Sequence, residues 1–167
     1  IDLIPEFNLY EEYWKIYTKS DTIEPLYVSP EGHSERSIIG EGTENYGYVQ
    51  NSVIGSNVKI GKGAVIRDSI IMRDAVIGDR CTIDKSIIAE NSRIGEGAVL
   101  GVGEEAPNVL NESVYSFGLV TVGEDTVIPE NVRIGKNTAI SGKTVHEDYP
   151  NGELAGGQVI IKAGDGK

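Results

Sequence analysis

Bulky aliphatic side chains return about every sixth residue through the middle of this chain: Ile54, Ile60 and Ile66, then Ile71, Ile77 and Ile83, then Ile88, Ile94 and Leu100. The units they mark open with Ser37-Ile38-Ile39-Gly40, Ser52-Val53-Ile54-Gly55, Ser69-Ile70-Ile71-Met72 and Ser86-Ile87-Ile88-Ala89, spaced by 15, 17 and 17 residues. A step of six fits neither the 3.6-residue turn of a helix nor the simple alternation of a strand. Each unit therefore reads as one coil of a three-sided solenoid, with one aliphatic per side pointing inward.

The residue after the aliphatic is often glycine (Gly55, Gly61, Gly78, Gly95, Gly101), which predicts backbone freedom where the path bends. Four residues after it comes something small or β-branched, as at Val58, Ala64, Ala75, Cys81, Ser92 and Ala98, which are expected to be half-core positions. Stacked coils give three parallel sheets with strands about 4.8 Å apart and open edges only at the two ends. Stacking also predicts surface charge pairs: Lys62 with Asp79, Arg73 with Glu90, and Asp68 with Lys85. Such exposed pairs contribute about 0 to 1 kcal/mol each, so the aliphatic ladders hold the fold and the charges tune its register.

Composition narrows the partners. A chain of 167 residues can bury a core without disulfides or metal. Its net charge of −11 argues against nucleic acid and anionic membrane surfaces as partners, though a local basic cluster could hold a small phosphate. The single cysteine, Cys81, has no internal disulfide partner, no secretory segment is evident, and no apolar run is long enough to span a bilayer; the expected compartment is cytoplasmic. The chain opens with Ile1, so it is expected to be a fragment of something larger.

Residues 1–36 lack the repeat and read as an interdomain linker. Asn8 with Glu11 imitates a capping box, and Leu9, Tyr13, Ile16 and Tyr17 share one helical face, predicting a helix over Leu9–Lys19 and then an extended Pro-containing segment. The β-helix is expected over 37–142, with an excursion loop at about 102–119 before Val122, Ile128, Ile134 and Ile140 resume the steps of six. Residues 143–167 are expected to be a capping tail: Tyr149-Pro150-Asn151-Gly152 is turn chemistry, and Val159-Ile160-Ile161 reads as a short strand that folds back over the open end.

Chemistry-bearing motifs are sparse. Gly101-Val102-Gly103 imitates a dinucleotide loop, but Glu104, Glu105 and Pro107 stand where a pyrophosphate and a helix would have to be. Hexapeptide acyltransferases use a histidine base held on a coil wall; His33 precedes the first expected coil and His146 follows the last, and two histidines are too few for a three-histidine zinc site. No metal site and no catalytic residue is therefore expected. The basic residues Arg133, Lys136, Lys143 and Lys162 gather near the last coil and the tail, either as solubilising surface or as a seat for a phosphorylated small molecule.

Phe7-Asn8-Leu9-Tyr10, then Trp14-Lys15-Ile16-Tyr17-Thr18, then coils beginning Ser37-Ile38-Ile39-Gly40-Glu41-Gly42, resemble the C-terminal region of bacterial ADP-glucose pyrophosphorylases, over essentially the whole chain. The resemblance implies an all-β, left-handed parallel β-helix that builds a homo- or hetero-tetramer and shares in control by phosphorylated metabolites. It also implies a magnesium-dependent nucleotidyltransferase domain upstream, making ADP-glucose from ATP and glucose 1-phosphate for glycogen synthesis. This chain alone is then expected to be catalytically silent and without a cofactor. Relatives use a lysine closing a Gly-x-Val-x-Val-x-Lys segment to bind activator. The similar run Gly156 to Lys162 nominates Lys162, with Lys143 as the second nominee. The alternatives are a self-standing acyltransferase and a scaffold with no ligand.

Overall fold

A computed structural model describes Tyr13 and residues 22–162. Among these residues the protein is all-β apart from two single-turn 3₁₀ segments, His146–Asp148 and Pro150–Gly152. Its strands form three parallel walls of six, seven and seven strands, and each wall takes every third strand of the chain until the last coil, where the first wall contributes only an isolated bridge. The first wall runs from Tyr27–Val28 through Val76–Ile77 to Val127–Ile128. The second runs from His33–Glu35 through Thr82–Asp84 to Glu153–Leu154, and the third from Ile38–Ile39 through Ser86–Ile88 to Val159–Ile161.

Register follows the aliphatics. Ile60 pairs with Ile77 and Ile77 with Ile94 on the first wall; Ile66 pairs with Ile83 and Ile83 with Leu100 on the second; Ile54, Ile71, Ile88, Val122 and Ile140 stack on the third. All are buried in one continuous core, together with the expected half-core side chains of Val58, Ala64, Ala75, Cys81, Ser92 and Ala98. A one-residue slip would turn every one of them to water, which is why the register is strongly specified.

Winding extends beyond 37–142 at both ends. Tyr27–Val28 and His33–Glu35, in the expected linker, pair in parallel with Glu44–Asn45 and Tyr48–Gln50 and make the outer part of a first coil. At the other end the tail does not fold back. Lys143 bridges to Val127, Glu153–Leu154 adds to the second wall and Val159–Ile161 to the third, all parallel, so the tail is a seventh coil enlarged by the two 3₁₀ turns. The helix expected over Leu9–Lys19 lies outside the described residues except for Tyr13, which is exposed.

The corners differ from expectation in a way that has a physical cause. Left-handed backbone falls mainly on Asn57, Asp74, Asn91 and Asp125 at one corner and on residues such as Asn51 and Asp68 at another. Asparagine and aspartate tolerate that region because their short side chains hydrogen-bond locally. Of the glycines after the aliphatics, Gly101 does turn with φ of +85°, while Gly55, Gly61, Gly78 and Gly95 serve closeness instead: a Cβ on Gly78 would lie 2.7 Å from the Glu96 nitrogen, in the coil above. The repeating serines form a hydrogen-bond ladder. Ser52 and Ser69 hydroxyls accept from the Ser69 and Ser86 amides at 3.2 and 3.0 Å, while donating to the carbonyls of Gln50 and Arg67.

The residues of the expected charge pairs make other contacts, two of them still between coils. Asp79 accepts the backbone N–H of Lys62 at 2.8 Å, Asp68 accepts from the Asn51 amide, and Arg73 reaches its neighbour Asp74 at 2.9 Å. Cross-coil ion pairs occur at true register partners, Lys59 with Glu44 and Arg133 with Glu153.

Between Val102 and Val120 the chain makes its excursion. This loop is pinned at the corner between the second and third walls. The Asn108 side chain donates to the Asn137 carbonyl at 2.6 Å, Asn137 donates to the Ala106 carbonyl and accepts from the Gly118 N–H, and the Val109 N–H reaches the Gly157 carbonyl.

Candidate functional site

The two nominated lysines meet at one corner, where the third wall hands over to the first at the top of the solenoid. Ser141 ends a strand of the third wall, Gly142 turns with φ of +92°, and Lys143 begins the bridge to Val127. Lys162 lies one coil higher: its N–H donates to the Ser141 carbonyl at 2.9 Å, and its backbone crosses so close to Gly142 that a Cβ there would lie 2.7 Å from the Lys162 oxygen. Gly142 thus lets the Lys162 backbone cross the turn that leads into Lys143.

Asp148 completes the group, and sequence reasoning missed it. Its carboxylate accepts the Val145 N–H at 2.7 Å and the Lys162 ammonium at 2.5 Å. The hydrogen bond from Lys162, then that from Val145, holds the carboxyl below its ordinary range. The turn carrying it is anchored beneath by Thr144, whose hydroxyl donates to the Val127 carbonyl at 2.7 Å and lies 2.8 Å from the buried Tyr149 hydroxyl. Lys143 is exposed and has no ion pair among the described residues. Near this corner one ammonium, that of Lys143, is without an ion pair among the described residues, and the other, that of Lys162, is held by a carboxylate.

A carboxyl depressed in the folded state contributes stability that is present above the unfolded range near pH 4 and is lost as pH falls through the folded value. Urea midpoints of wild type and Asp148→Asn should thus differ at pH 7 and converge at acid pH.

The other basic residues are separated and engaged. Lys136 faces Glu105 at 4.0 Å, and Arg133 is held by Glu153 at 3.2 Å beside a depression of about 150 Å³ lined by Gly103, Glu104 and Gly156. His33, expected ahead of the coils, stands in a strand of the second wall, exposed and stacked on Tyr48 at 5.6 Å between ring centroids. No hydrogen-bond partner orients its imidazole among the described residues, and His146 is exposed in the 3₁₀ turn.

Cys81 is fully buried; burial pushes its thiol up to about 11, and its S–H lies 3.1 Å from the Gly95 carbonyl. A thiol so placed is inert. Maleimide at pH 7 should label it only at the rate of unfolding, and labelling by native protein at the rate of a free thiol would contradict the packing.

Over 165 residues the chain is 66% identical to a glucose-1-phosphate adenylyltransferase of Lachnospira eligens, and 39% identical to one of Acetivibrio thermocellus; each match takes in 99% of this chain. The chain matches the C-terminal part of glucose-1-phosphate adenylyltransferases. It spans 39% of the length of both relatives. The family model described as the EIF2B subunit epsilon LbH domain matches residues 28–106, a span that begins within the first coil of the solenoid. Among solved structures, the acetyltransferase domain of PglB from Neisseria gonorrhoeae aligns with a TM-score of 0.48 at 18% identity, over 79% of this chain and 55% of that one. The nominated lysines sit on the last coil, where the seventh turn of the solenoid lies on the sixth. No helix among the described residues is long and apolar enough to cross a membrane.

Proposed function

We propose that this chain is the assembly and effector-binding part of a cytoplasmic glucose-1-phosphate adenylyltransferase, a tetrameric enzyme that makes ADP-glucose and pyrophosphate from ATP and glucose 1-phosphate for glycogen synthesis. Nucleotidyl transfer, with its magnesium, belongs to a domain upstream of these residues. The observation that carries the reading is 66% identity over 99% of a chain that spans only 39% of its relative. The fold supports it: the interior is filled by stacked aliphatics, and the depression beside Arg133, at about 150 Å³, is below the 300–1,000 Å³ typical of small-molecule sites.

The effector is a phosphorylated metabolite, seated at the corner of Lys143, Lys162 and Asp148. On a body of net charge −11 an anion needs such a local concentration of ammonium groups. Binding would exchange the Asp148 carboxylate for phosphate oxygens on Lys162 and recruit Lys143, tightening the seventh coil against the sixth.

The test is an assay of the full-length protein that contains this chain. It should form ADP-glucose from ATP, magnesium and glucose 1-phosphate, while the 167-residue chain should form none. A full-length protein without that activity, or acetyl transfer by the chain from acetyl coenzyme A, would overturn the reading.

A further inference from the structure

We propose that the excursion loop is a positioning element for Lys162: it fixes the start of the strand that ends at that lysine, and so sets where the ammonium stands. This deepens the effector reading above, and rests on it for what the lysine binds.

The loop is not needed for winding. Leu100 pairs with Ile83 in the coil below and Val120 with Ser86, so residues 101–119 stand opposite Asp84 and Lys85 alone. The detour is held in place by two buried asparagines at its base, Asn108 and Asn137. Asn108 uses both ends of its amide: the nitrogen donates to the Asn137 carbonyl at 2.6 Å, and the oxygen accepts the Leu110 and Asn111 N–H groups at 2.9 and 3.1 Å. Asn137 in turn donates to the Ala106 carbonyl at 3.0 Å and accepts the Gly118 N–H at 2.8 Å. A buried polar network satisfied in this way is rigid and holds one geometry.

The base of the loop rests on the seventh coil. The Val109 N–H donates to the Gly157 carbonyl at 2.9 Å, while Gly157, with φ of +76°, donates its own N–H to the Lys136 carbonyl at 2.8 Å. Gly156 passes so near the loop that a Cβ there would lie 2.9 Å from the Glu104 carbonyl oxygen. Beyond Gly157 the chain runs into the strand Val159–Ile161 and then Lys162. Among the described residues this strand is the outermost of the third wall, pairing with Thr138–Ser141 alone, and the first wall gives the seventh coil only the bridge at Lys143. An outermost strand of three residues has few contacts of its own to hold it. Its place is set at one end by the loop on Gly157, and at the other by the Lys162 N–H on the Ser141 carbonyl at 2.9 Å. A shift at the first end reaches the second, because three extended residues span only about 10 Å.

Two variants of the 167-residue chain test this. In the first, one asparagine replaces residues 102–119 and joins Gly101 to Val120, as Lys85 joins Asp84 to Ser86. In the second, Asn108→Ser keeps an acceptor for the turn of the loop itself, but its hydroxyl falls a bond short of the Asn137 carbonyl. Hydrogen exchange at the Gly157 and Lys162 amides should quicken by about tenfold or more in both. The Gly61 and Gly78 amides, bonded to the Ile77 and Ile94 carbonyls of the middle coils, should keep their rates. By NMR the Asp148 carboxyl should titrate closer to its ordinary range, since Lys162 no longer stands against it. Calorimetry uses fructose 1,6-bisphosphate, 3-phosphoglycerate and inorganic phosphate. Whichever binds wild type should bind both variants roughly fivefold more weakly or worse, although the excision removes Glu104, Glu105 and Glu112.

Exchange at Lys162 that both variants leave unchanged overturns the proposal. So does exchange that quickens equally at Gly78, which would make the loop a support for the whole fold, and so does unchanged anion affinity beside faster exchange. If wild type binds none of the three anions the effector reading fails, while exchange and the Asp148 titration still decide whether the loop places the lysine.

Discussion

Ile77→Asp should leave the chain without a cooperative thermal transition. Ile77 is 1% exposed on the first wall, between Ile60 and Ile94 in register, at the middle of the stack. Truncation to alanine alone should cost about 2–5 kcal/mol, through lost transfer energy and the cavity left behind. Aspartate adds an unpaired carboxylate in a dry interior, worth several kcal/mol more, against a total stability of only about 5–15 kcal/mol. Because each coil is supported by its two neighbours, the loss at the centre uncouples the halves. Val76→Thr, one residue away and outward-facing, should change stability by about 0.5 kcal/mol or less. Circular dichroism melts of the three variants decide it: an Ile77→Asp protein that melts like wild type would place that side chain in water.

The second large effect is expected from one methyl group at Gly95. A Cβ built there lies 2.4 Å from the Glu130 nitrogen and 2.5 Å from the Pro129 carbonyl carbon, both backbone atoms of the coil above. No side chain can rotate away to relieve such a contact, so the coils must part and their hydrogen bonds lengthen. Gly95→Ala should cost at least the 1–3 kcal/mol, approximately, of ordinary overpacking. Gly103→Ala is the informative comparison, since its φ is +78° but nothing lies within 4 Å of the new methyl. It should cost only about 1 kcal/mol, from backbone strain. Urea unfolding that ranked the two the other way would show that turning freedom, and not close stacking, is the purpose of the glycines after the aliphatics.

The middle of the fold was legible because inward positions there are monotonously aliphatic and the step between them hardly varies. The ends were not, and for local reasons. In the first coils the inward register positions are Val28, Asn45 and Ser34, so the rhythm is hidden by polar residues. Asn45 is tolerated in the core because its side chain donates to the His33 carbonyl and accepts the Gly47 N–H. In the last coil Leu154 and Ile160 do face inward, but the turns at 146–152 throw them out of phase. The candidate corner shows the same division. Lys162 and Lys143 were nominated from likeness to relatives, whereas Asp148 is brought to Lys162 by the winding of the seventh coil, which no local pattern displays.

Calorimetric titration of the 167-residue chain with fructose 1,6-bisphosphate, 3-phosphoglycerate and inorganic phosphate addresses the effector-binding role most directly. At least one of them should bind saturably, with affinity lost in Lys162→Ala, weakened in Lys143→Ala and increased in Asp148→Asn, where the competing carboxylate is gone. Absence of binding by all three, or binding that Lys162→Ala leaves unchanged, would contradict the assignment of this corner.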